Sequence, residues 1–135
     1  MTVLDASAAI EWLLRTPAGI GLDARLFSDA DTLHAPHLLD IEVAQVLRRY
    51  VRTRVITAQR AEEALEDLLD LSLTRYPHDV MLGRVWQLRD NLTAYDAAYV
   101  ALAEALDASL ITCDRKLRSA SGHEARIEVI VKGSR

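Results

Sequence analysis

Apolar positions along this chain fall into two alternating kinds of segment. Short strand-length runs occur at "TVLD" (2–5), "TLHA" (32–35), "LTRY" (73–76), "SLIT" (109–112) and "IEVIV" (127–131). Between them lie longer segments with apolar residues three and four apart, the spacing of one helix face. Leu39, Val43, Val46 and Tyr50 make one such stripe. The pattern predicts helices from Ala6 to Arg15, from Pro36 to Arg52, over 58–71 behind a Thr57 cap, from His78 to Arg89, over 94–106 behind a Thr93 cap, and a short one after Asp114. Thr16-Pro17 also has the form of a helix start, although Gly19 and Gly21 count against it. Strands alternating with helices imply one α/β domain over 1–135, an α/β/α sandwich built on a parallel sheet.

That architecture gathers chemistry at one edge. In a parallel sheet every strand points the same way, and ligands of open α/β sheets bind at the carboxyl edge. Asp5 ends the first strand, and Asp114 follows the strand "SLIT" by two residues. Asp96 lies in the first turn of the helix preceding that strand. Glu42 lies in the helix after the second strand, on the border of its apolar stripe. Each acid also has a plain structural reading. Asp5 and Asp114 have the form of N-caps, and Asp96 stands three residues after Thr93 as in a capping box. Glu42 is harder to explain that way, because no Lys or Arg stands three or four residues from it to offset burial. Several carboxylates converging at low dielectric repel each other, and either shared protons or hard divalent cations relieve that repulsion; three or four acids with no nearby His favour the cations. Mg²⁺ or Mn²⁺ held in this way suits phosphodiester hydrolysis. Ser7 and Thr112, each two residues from a strand-end acid, have the type and position to orient water or a phosphate oxygen, or simply to cap.

Composition changes the picture in three places. One cysteine, Cys113, permits no internal disulfide, and no Cys/His spacing suits zinc. No apolar run approaches the ~20 residues needed to cross a bilayer, and the start lacks a signal-peptide pattern. A cytoplasmic protein without membrane contact is therefore expected. The net charge of −4 argues mildly against nucleic acid, but its distribution is uneven. Arg48, Arg49, Arg52 and Arg54 cluster at one helix end, while Arg115, Lys116 and Arg118 stand beside Asp114. Both groups are candidate RNA-backbone contacts, or else ordinary solvated faces.

The segments "VLDASAAIEWLL", "HAPHLLDIEVAQVLRR", "LTAYDAAYVALAEAL" and "LITCDRKL", in this order, resemble the PIN-domain ribonucleases, specifically the VapC-type toxins of toxin–antitoxin pairs. The resemblance runs from end to end. It implies strand order 3-2-1-4-5, Mg²⁺-dependent endoribonuclease activity with Mn²⁺ as a substitute, a homodimer, and inhibition by a cognate VapB-type antitoxin. Carried over by position, it implies Asp5, Glu42, Asp96 and Asp114 as catalytic and metal-binding acids, with Ser7 and Thr112 as polar neighbours. Some relatives carry a further acid where this chain has Leu117. Rival readings fit less of the chain. A phosphoacceptor receiver domain requires paired acids after the first strand, whereas Asp5 is followed by Ala6. A haloacid-dehalogenase-type phosphatase requires Asp-x-Asp, and position 7 is Ser. A PIN fold without catalysis, serving as a binding module, remains the alternative from a different class.

Overall fold

Five short strands run in parallel in the computed structural model, which describes residues 1–130. They are β1 (Thr2–Leu4), β2 (Leu33–Pro36), β3 (Leu73–Tyr76), β4 (Ser109–Thr112) and β5 (Arg126–Val129), in the order β3-β2-β1-β4-β5. Registers such as Val3 opposite His34 on one side and Leu110 on the other place β1 at the centre. Val3, Leu4, Leu110 and Ile111 are fully buried. Burying each such side chain contributes about 1.5–3 kcal/mol, and so the two central strands hold the sheet in register.

Among the described residues eight helices surround the sheet or pack on the helices that cover it: α1 (Ala6–Leu13), α2 (Pro17–Ile20), α3 (Asp23–Leu26), α4 (Leu38–Arg52), α5 (Ala58–Asp70), α6 (Leu82–Gln87), α7 (Ala94–Leu106) and α8 (Arg115–Ser119). Helix α7 packs on β1, β2 and β4, and it is buried over the run Ala97–Ala103. Helix α1 packs against β4, α4 and α5. No helix among the described residues is long and apolar enough to cross a membrane.

The differences from the pattern-based expectation have local causes. Helix α1 stops at Leu13 rather than Arg15, because Arg15 turns into the left-handed region at φ 58°. The Thr16-Pro17 start is real: the Thr16 hydroxyl accepts the Gly19 N–H at 3.1 Å. Gly19, which counted against that helix, is what lets α2 lie on α1, since a Cβ there would sit 1.9 Å from the Glu11 carbonyl oxygen. The single turn α3 was not anticipated. Pro36 closes β2 instead of opening the next helix, and the His37 N–H donates to the Tyr76 carbonyl at 2.9 Å, extending the ladder before α4 begins. The segment from His78 to Arg89 divides into a 3₁₀ turn (Asp79–Met81) and α6. The last strand covers Arg126–Val129, and Val131 lies outside the described residues.

Candidate active site

The carboxyl ends of β1 and β4 are stitched together by hydroxyls. Asp5 continues the ladder through its N–H to the Ile111 carbonyl (3.2 Å), then turns the chain into α1. Its Oδ1 accepts from the Ala8 N–H at 3.0 Å and from the Ser7 hydroxyl at 2.7 Å. Ser7 Oγ accepts the Cys113 N–H at 2.8 Å and lies 3.3 Å from Thr112 Oγ1. Thr112, fully buried, accepts the Asp114 N–H at 2.9 Å. Asp114 in turn caps α8 through the Lys116 N–H at 2.9 Å. Asp5 and Asp114 are thus N-caps, and the caps place them side by side at one sheet edge.

Asp96 and Glu42 arrive from the helices. The Thr93 hydroxyl caps α7 by accepting the Asp96 N–H at 3.1 Å, which puts Asp96 in the first turn. Glu42 lies in the second turn of α4 and is half-buried. Its partner is one the sequence reading missed. Tyr99, one turn after Asp96 on α7 and only 2% exposed, donates its hydroxyl to Glu42 Oε1 at 2.5 Å. The signal was available in the i, i+3 spacing of Asp96 and Tyr99, which puts both on one helix face.

Electrostatics tie the four acids into one group. Burial pushes the Asp5 carboxyl up to about 6, against hydrogen bonds from Thr112, Ala8 and Ser7, with the Asp96 charge adding to the rise. Burial also raises Glu42, opposed by the Tyr99 hydrogen bond and aided by Asp96. Asp96 is raised by burial and then by Asp114, while Lys116 pulls it back. Tyr99, buried over Glu42, Asp5 and Asp96, keeps its proton far above the ordinary tyrosine range. Asp96 is the common member of every coupling between the acids, and among the described residues Lys116 is the cation that reaches it.

The donor set is oxygen throughout, which fits a hard divalent cation and excludes the soft metals that prefer thiolate. Among the described residues no three acids or histidines stand close enough to form a preformed metal cage. Asp5 is turned to Ala8, Glu42 to Tyr99 and Asp114 to Lys116, which spreads the carboxylates apart. Mg²⁺ does not require such a cage, because it commonly keeps several waters and takes one or two carboxylates. A carboxylate only 6% exposed, with hydroxyl and amide partners and no cation beside it among the described residues, is the feature that fits such an ion.

The basic residues divide. Arg115, Lys116 and Arg118 are exposed on α8 next to Asp114. Arg48, Arg49 and Arg52 are exposed near the far end of α4, with Arg52 about 15 Å from Glu42 along the axis at 1.5 Å per residue. The structure does not bring them to the acids. Arg48 and Arg52 instead border an apolar groove between α4 and α5, floored by Leu47, Val51 and Leu65. Leu117 is buried in the core and brings no further acid to the site. His34 is structural, with its Nδ1 2.7 Å from the Tyr76 hydroxyl.

Comparison with known proteins identifies the family and the fold. A family model described as PIN domain matches residues 2–122. The chain is 42% identical over 130 residues to Ribonuclease VapC12 of Mycobacterium tuberculosis, covering 96% of this chain and 99% of that one. Among solved structures it is similar to PAE2754 from Pyrobaculum aerophilum, with TM-score 0.71, 24% identity, and coverage of 96% of this chain and 83% of that one. It is also similar to VapBC2 from Rickettsia felis bound to a promoter DNA fragment, with TM-score 0.70, 12% identity, and coverage of 95% and 97%. At these identities the structural matches speak for the fold.

Proposed function

This chain belongs to the PIN-domain family as a VapC-type toxin, and from that premise we propose that it is a Mg²⁺-dependent endoribonuclease whose acids Asp5, Glu42, Asp96 and Asp114 form the catalytic site. The observation that carries the reading is Asp5. A carboxyl buried to 6% exposure, pushed up to about 6 and under the charge of Asp96, with no basic partner among the described residues, is costly to keep for capping alone, since a neutral Ser or Asn caps equally well.

A divalent cation bound among these oxygens supplies positive charge for the phosphate and makes water a better nucleophile. The chain's own residues do the rest. Asp5 and Asp96 hold the cluster's negative charge at the carboxyl edge, and Glu42 joins it from α4. Ser7 and Thr112 fix the ends of β1 and β4, so the spacing of Asp5 and Asp114 is rigid. Lys116 and Arg115 on α8 meet the RNA backbone beside the acids. Recognition then rests on phosphate contacts and RNA shape. Kinship with VapC and VapBC proteins supports a VapB-type antitoxin as partner. A homodimer and a cytoplasmic location complete the proposal.

Brief expression of the chain without a partner, followed by mapping of RNA 5′ ends, tests the reading. Discrete new ends and growth arrest are expected, both abolished by Asp5→Asn. An Asp5→Asn chain as toxic as the parent at equal abundance would overturn it.

A further inference from the structure

We infer that Tyr99 is the positioning residue of the carboxylate cluster: its buried hydroxyl fixes where the Glu42 carboxylate of α4 stands relative to Asp96 on α7 and thereby sets how well the acids together grip a divalent cation. The inference rests on the nuclease reading and adds to it a residue outside the four acids.

The argument begins with what a buried hydroxyl needs. Tyr99 is 2% exposed, on the stretch of α7 that faces the sheet, and a phenol so placed must find a partner. It donates to Glu42 Oε1 at 2.5 Å, a short charge-assisted contact. Glu42 has three side-chain torsions and comes from a different helix, so untethered it would spread over several rotamers. The tyrosine removes that freedom.

The kind of donor matters as much as its presence. An Arg or Lys at this point would anchor Glu42 equally well, but it would cancel the charge and compete with a metal ion for the carboxylate. The phenol is neutral. It occupies Oε1 and leaves Oε2 with no protein partner among the described residues. Tyr99 therefore orients the carboxylate and leaves its charge available. Its position also suits this role, because it sits one turn beneath Asp96 within electrostatic reach of Asp5, Glu42 and Asp96. Groups that orient metal ligands in this manner typically change metal affinity 10–100-fold when removed.

Tyr99→Phe tests the proposal, since it deletes one oxygen and keeps the ring that fills the core. Mn²⁺ is titrated into purified wild type, Tyr99→Phe, Glu42→Ala and the double variant, and binding is read from the rise in melting temperature. A roughly tenfold weaker Mn²⁺ midpoint is expected for Tyr99→Phe, with kcat for RNA cleavage reduced and KM little changed. In the Glu42→Ala background the same substitution should produce no further loss, because the hydroxyl acts through Glu42. Equal Mn²⁺ midpoints for Tyr99→Phe and wild type, with the response abolished by Asp5→Asn, would overturn the role of Tyr99 alone. An equal loss in both backgrounds would do the same, by showing a general loosening of α7. A wild-type chain with no Mn²⁺ response would overturn the metal reading and this role together.

Discussion

Asparagine at position 5 should make the metal-free protein more stable at alkaline pH, although it removes a native charge. The Asp5 carboxyl sits at about 6 in the fold against an ordinary 3.8. Between those values the folded chain binds more protons than the unfolded one, so stability falls as pH rises. The contribution of the protonated form is fully present below about 3.8 and lost as pH passes 6. About two pKa units correspond to roughly 3 kcal/mol above pH 7, and the carboxyl is too buried for solvent screening to reduce that much. Asn has no such cost, and its amide oxygen still accepts the Ala8 N–H, so the α1 cap survives. Chemical denaturation in EDTA at pH 8 should therefore show Asp5→Asn ahead by up to about 3 kcal/mol, or roughly 10 °C in Tm. At pH 4 the advantage should shrink below about 1 kcal/mol. A mutant less stable than wild type at pH 8, or a difference independent of pH, would reduce Asp5 to a simple cap.

Three further outcomes are expected. Asp96→Asn should leave the EDTA form unchanged or more stable, because it removes repulsion with Asp5, Glu42 and Asp114, yet it should lose most of the Mn²⁺-induced rise in Tm; destabilisation in EDTA with the full Mn²⁺ shift would return Asp96 to its capping role with Thr93. Lys116→Ala should raise KM for RNA about tenfold at low salt while Arg52→Ala leaves cleavage of a short RNA unchanged, since only Lys116 reaches the acids; steady-state kinetics on both variants checks this. Gly19→Ala should cost on the order of 3 kcal/mol or more by urea denaturation, because its Cβ would lie 1.9 Å from the Glu11 carbonyl oxygen.

Much of this protein is legible from local pattern. Runs such as "SLIT" and caps such as Thr57 and Thr93 follow from side-chain geometry over a few residues, and the helices and strands appear close to where that geometry puts them. The strand alternation implies a parallel sheet, and a parallel sheet has one carboxyl edge, so Asp5 and Asp114 are placed together before any coordinates are known. The strand order 3-2-1-4-5 came instead from family likeness, because neighbouring strands in this sheet are far apart in sequence. What remained open depended on contacts between distant segments. Gly19 reads as a helix breaker until α2 is seen lying on α1. The arginines around the end of α4 read equally as an RNA contact or a solvated face until the length of the helix sets Arg48, Arg49 and Arg52 away from the acids. Glu42 reads as an acid without a partner because its partner, Tyr99, is 57 residues away on α7. Periodicity and capping act along the chain and can be read from it, whereas burial and hydrogen bonding between helices depend on how those helices cross, which only the packed structure specifies.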